Sequence, residues 1–99
     1  MQSFYPERFE REMGCTEAEW QRALPAAMGD CVWSQQPQSI DATVATGRLH
    51  IAWRTGQPRV IALMRMPRLH VSFDFVGLDA AQRHAFMARF DLYMQRGGG

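Results

Sequence analysis

His50 and His70 stand among Arg48, Arg65 and Arg68 in a stretch where apolar and polar residues alternate. Alternation at period two puts every second side chain on one face of a sheet. Pairing the alternating segments as a meander places His50, Leu63 and His70 in one row and Arg48, Arg65 and Arg68 in another. Like charges side by side on a sheet cost about a few tenths of a kcal/mol each, so the arginine row is expected to receive an anion. The chain's own acidic N-terminal helices, a partner protein, or a nucleic-acid or other polyanion backbone would serve. The two histidines fall two strands apart in this arrangement, roughly 10 Å between attachment points, with Leu63 between them. Asp41, Asp74 and His84 lie elsewhere, so no metal site is expected.

Other chemistries find less. Ser72 and His70 share a face, but neither a glycine-flanked elbow nor an oxyanion donor accompanies them. "MGDC" and "ATGR" lack the spacing and the following helix of a phosphate loop. Cys15 and Cys31 have no close histidine to complete a ligand set, and read as plain thiols. The chain ends "FDLYMQRGGG". In ubiquitin-like sulfur carriers such glycines follow a final strand; here they follow a helix that itself follows strands. Gly97 therefore reads as a helix stop, with 97–99 a flexible tail. No cofactor is expected, and enzymatic activity has no positive support.

Ninety-nine residues suffice for one domain with a real core, placed at 1–96. No stretch approaches the apolar length of a membrane span, and "MQSFYPERFEREMG" lacks the basic start and apolar middle of a secretory signal. A cytoplasmic protein with no membrane partner is expected. Every basic residue apart from histidine is arginine, and asparagine is absent, a bias that suggests a GC-rich bacterial genome. Residues 1–30 hold three arginines against six carboxylates, and the remainder eight arginines against four aspartates. An acidic front thus adjoins a basic body.

The elements that must position these residues follow from periodicity. Pro6 suits a first helical position, and Tyr5, Phe9 and Met13 recur at steps of four, which predicts a short helix closed by Gly14. Thr16 with Glu19 forms a capping-box pattern ahead of Trp20, Leu24, Ala27 and Met28, a second helix that Pro25 should kink or split. The stretch around Trp33 also allows a short edge strand, outside the four strands that follow. Ile40–Val44 and Leu49–Trp53 form a hairpin if Thr46 and Gly47 turn it, pairing Val44 with Leu49. "TGQP" and "MP" then turn into Val60–Met66 and Leu69–Val76. Asp79 and Gln82 cap a long helix with Phe86, Met87, Phe90, Tyr93 and Met94 on one side. The fold expected is α+β: two short N-terminal helices, a four-stranded antiparallel meander and a long C-terminal helix across one face, a two-layer sandwich.

"RFEREMGCTEAEW" and "ARFDLYMQRGGG" resemble the ends of short uncharacterised proteobacterial proteins. The resemblance spans nearly the whole chain and implies no activity. The function expected is a non-enzymatic binding or protein-interaction module that self-associates, with Arg48, Arg65, Arg68, His50 and His70 as the anion or partner surface. The alternative is a small apolar-ligand binder like the helix-grip proteins, with Trp53, Met64, Phe73, Phe86, Phe90 and Met94 lining a pocket between sheet and helix. An exposed apolar patch over a closed core would favour the first; an open aromatic pocket would favour the second.

Overall fold

The computed structural model describes residues 4–96, so the glycine tail lies outside the described residues. Its elements run β1 (Arg8–Met13), α1 (Glu17–Met28), β2 (Val32–Gln36), β3 (Ser39–Val44), β4 (Gly47–Thr55), β5 (Arg59–Ile61), β6 (Met64–Met66), β7 (Leu69–Val76) and α2 (Ala80–Arg96). Five strands form one antiparallel sheet in the order β1-β7-β4-β3-β2, and β5 and β6 pair only with each other. The fold is α+β with a C-terminal helix, as expected, but it has one N-terminal helix instead of two and five sheet strands instead of four.

The segment that reads as a first helix is β1. Its residues also alternate, with Arg8, Glu10 and Glu12 exposed and Phe9, Arg11 and Met13 half-buried. An arginine on the inner face hides that alternation. Arg11 is tolerated there because its guanidinium donates to Asp91 of α2 at 2.7 Å and lies over the rings of Phe9 and Phe73. Phe9 sits opposite Phe73 on β7, ring centroids 4.9 Å apart, and Phe75 N–H donates to Glu7 C=O beyond the strand end. Tertiary pairing outweighs a marginal local helix.

The second helix forms as its cap predicts. Glu19 N–H donates to Thr16 Oγ1 at 3.1 Å and Thr16 N–H to Glu19 Oε1 at 2.9 Å. Pro25 does not split α1, which runs through it with the proline ring exposed. The helix stops at Gly29, whose φ of 65° favours glycine. At α2, Gln82 N–H donates to Asp79 Oδ1 and Asp79 N–H to Gln82 Oε1, a second reciprocal cap.

In the sheet, the β3–β4 turn is Ala45–Thr46, one residue earlier than expected, so Val44 pairs with Gly47 and Ala42 with Leu49. Ala45 takes the positive φ that this turn needs. Gly47 is fixed in the strand by space: a Cβ there would run into the carbonyl of Val76. The shift is two residues in register, so Ile40, Ala42, Val44, Leu49, Ile51 and Trp53 keep their common face. β7 joins β4 directly, Phe75 opposite Leu49 and Val71 opposite Trp53. The stretch Val60–Met66 expected between them is displaced from the sheet altogether.

Both helices cover the inner face. Trp20 of α1 meets Trp53 at 5.6 Å and Phe90 of α2 at 5.8 Å, and Phe90 meets Phe73 edge-on at 5.5 Å. Trp53 Nε1–H donates to Glu17 at 2.9 Å, tying the start of α1 to the sheet. Arg83 of α2 is buried, donating from Nε to Tyr5 C=O and from a terminal nitrogen to Leu78 C=O. The Tyr5 hydroxyl in turn donates to Asp91; burial, then the nearby Asp91 carboxylate, raises its pKa.

Asp91→Ala removes the acceptor of both Tyr5 and Arg11 and should lower unfolding free energy by roughly 2 kcal/mol. An unchanged urea midpoint would defeat this account of β1. Gly47→Ala should cost roughly 2 kcal/mol or more by forcing β4 away from β7, measured in the same way; a neutral result would mean that the close approach is not maintained in solution.

Candidate functional site

The expected pocket is occupied by its own lining. Trp53, Phe73, Phe90 and Met94 do come together, but as buried core side chains. Phe86 lies half-buried at their margin, 5.7 Å from Phe90 and 5.9 Å from Phe75. Met64 is not with them: it is exposed on β6, outside the sheet. Consecutive ring contacts from Phe9 through Phe73, Phe90 and Trp20 to Trp53 leave the layer between sheet and helices filled.

The outer sheet face carries the histidines but not the arginine row. The observed register sets Arg8, Asp74, His50, Asp41 and Ser34 in line across all five strands. His50 Nδ1 stands 2.7 Å from Asp41 Oδ1, and Arg8 pairs with Asp74 at 3.4 Å. A parallel line holds Glu12, His70 and Arg54. Arg68 forms an ion pair with Glu12; Arg48 lies between Thr43 and Val76 at the opposite end; Arg65 sits on β6 across from Val60. The three arginines are therefore separated because the strand expected to align them has left the sheet. His50 and His70 are on neighbouring strands, not two apart, yet four residues of offset still separate them by roughly 13 Å.

Between the two lines, Ala52 and Ser72 floor a shallow concavity of about 530 Å³ bordered by Glu10, Gln38, Arg54 and His70. Its charges are mixed and its mouth is open. The Asp41–His50 pair could orient a base, but the Ser72 hydroxyl is turned to Ala52 C=O at 3.5 Å. Among the described residues no group of three His, Cys, Asp or Glu side chains is placed to hold a metal ion. Cys15 and Cys31 are free, and burial pushes both thiols up, away from the reactive thiolate.

The unexplained surface is the β5–β6 arm. It leaves the sheet where Thr55 faces Leu69 and Gly56 N–H donates to Arg68 C=O at 2.9 Å. The tip turns through Ala62, at φ 55°. Arg59, Ile61, Met64 and Met66 occupy one face of the ribbon, Val60 and Arg65 the other. Its large apolar side chains range from 42% exposed at Met66 to fully exposed at Leu63. At its base, Met13, Gly14, Arg59, Met66 and Pro67 line a concavity of about 210 Å³ beside the Arg68–Glu12 pair.

A signal for the arm was present in Pro58 and Pro67, which bracket it. A proline cannot donate to a sheet ladder and is confined to edges and strand starts, so the pair marks an excursion, whereas a meander needs both as turns. No helix among the described residues is long and apolar enough to cross a membrane. Comparison with family models, with curated proteins and with solved structures finds no match for this chain.

Proposed function

We propose that this chain is a non-enzymatic interaction module that associates with copies of itself and presents the β5–β6 arm to a further protein. The observation that carries the reading is the exposed apolar arm standing over a closed core. Soluble monomers rarely expose contiguous apolar patches of this kind without a use for them. Val60, Ile61, Leu63, Met64 and Met66 would each contribute up to about 1.5–3 kcal/mol when fully buried against a partner. A lone two-stranded ribbon is marginal in water, so a partner that covers the arm would also order it. Arg59 and Arg65, with no acidic residue between Asp41 and Asp74, favour a partner surface that is acidic around an apolar seat.

The apolar-ligand reading is weaker because the space between sheet and helices is taken by Phe73, Phe90, Trp20 and Trp53.

Native mass spectrometry of protein isolated from its own cells, wild type beside the Ile61→Asp/Leu63→Asp variant, tests the proposal. A bound protein present in the wild type should be lost from the variant, with the melting temperature within about 2 °C of wild type, as expected for surface changes. A variant that keeps the bound protein would remove the arm from the interaction. A small molecule released from the wild type on denaturation would instead favour the ligand alternative.

A further inference from the structure

The sheet has two outer strands, and they differ in how they are defended. Natural sheets protect an open edge with charge, proline or a bulge, because unpaired N–H and C=O groups template the addition of another strand. β1 is defended: Arg8, Glu10, Arg11 and Glu12 occupy four of its six positions. β2 is not. Its sequence is Val32-Trp33-Ser34-Gln35-Gln36, without a charge or a proline, and its pairing with β3 is unbroken from Val32 opposite Thr43 to Gln36 opposite Ser39.

The turn geometry says which groups the edge offers. Gln36 and Ser39 flank the two-residue turn Pro37–Gln38, and a turn of this length closes on a hydrogen-bonded pair. Hydrogen-bonded and non-hydrogen-bonded pairs alternate along an antiparallel ladder. Val32, Ser34 and Gln36 therefore direct their backbone groups to β3, and Trp33 and Gln35 direct theirs out of the sheet. β3 agrees: Val44 and Gly47 flank the next two-residue turn, which turns Val44, Ala42 and Ile40 to β4 and leaves Thr43, Asp41 and Ser39 for β2.

We propose that β2 is the self-association site: a second copy of this chain adds its own β2 in antiparallel register about Ser34, joining two sheets into one. The inference rests on the self-association part of the reading above and is independent of the arm. The outward groups suit a two-fold axis. Trp33 of each copy exchanges both backbone hydrogen bonds with Gln35 of the other, which uses all four outward groups of each strand. Ser34 then meets Ser34 as the non-hydrogen-bonded pair at the axis, on the outer face. On the inner face the half-buried Trp33 lies diagonal to Trp33 of the second copy, within reach of an aromatic side chain. Charge does not oppose the join. Asp41, opposite Ser34, is the nearest ionised residue in that line, and three strand spacings set it roughly 14 Å from its symmetry mate, beyond the screening length of roughly 8 Å at physiological salt. An unrelated extended peptide could pair with the same edge, but only a second copy brings the two Trp33 rings together.

Sedimentation of the full chain and cysteine cross-linking test this. The wild type should show a concentration-dependent dimer. Gln35→Pro removes only an outward N–H, so it should fold as wild type does and sediment as a monomer; Ser34→Lys, exposed and on the axis, should do the same by placing like charges together. In a Cys31→Ser background, Ser34→Cys should form an intermolecular disulfide at least about tenfold faster than Gln36→Cys, which sits off the axis, because pairing raises the local thiol concentration. A dimer that survives both substitutions, with the two cysteines linking at equal rates, would overturn the β2 site while leaving self-association through another surface. A wild type that stays monomeric with no preferential linking would overturn both.

Discussion

The carboxylate of Asp91 joins the two layers of this protein. It accepts from Arg11 on β1 and from Tyr5 just before it, and so lets an edge strand carry a cation on its buried side. With Arg11 satisfied, β1 lies flat against β7. With β1 in place, β7 is an interior strand with a partner on each side, and its four buried residues from Leu69 to Phe75 have helix above them and sheet around them. Arg83 adds a second attachment through the Tyr5 carbonyl. A half-buried ion pair of this kind adds little over a well-packed apolar pair, but it is costly to leave half-made, and it gives β1 one acceptable position along the helix.

Much of the fold is legible in residue spacing because local rules and tertiary demands agree there. The caps at Thr16 and Asp79, the apolar stripe of α2, the β3–β4 hairpin and the inner face of β7 all depend on short-range geometry that the sheet does not contradict. The two largest departures, β1 and the arm, share one cause. β1 is decided by an arginine whose acceptor is 80 residues away, and the arm by two prolines whose effect depends on which strands remain to be paired. Neither fact has a period. The candidate surface was least legible: moving one segment out of the sheet dispersed Arg48, Arg65 and Arg68 and placed Met64 on a ribbon, and the two-residue register shift of the β3–β4 hairpin paired His50 with Asp41.

The outcome is a division of labour by exposure. Aromatic residues fill the interior, alternating charges neutralise one another across the outer face, and the apolar surface left over is concentrated on the arm. The neutral edge strand stands apart from it. On the interaction-module reading we propose, the fold serves to hold those surfaces in fixed relation.

Arg89 has a wider meaning for how the chain comes to be folded. α1 has no basic residue in its own last turn; two of its last carbonyls, those of Ala26 and Ala27, accept from Arg89 of α2 instead, and the same guanidinium lies over Tyr93. The last turn of one helix thus takes two of its hydrogen bonds from a residue more than 60 positions later in the chain. Gly29 N–H and Cys31 N–H close the helix locally on the carbonyls of Pro25 and Met28, and Arg89 satisfies the two carbonyls between them, so the last turn of α1 is fully paired only with α2 docked. Their stabilities are linked, and the domain gains in cooperativity what its first helix gives up in autonomy.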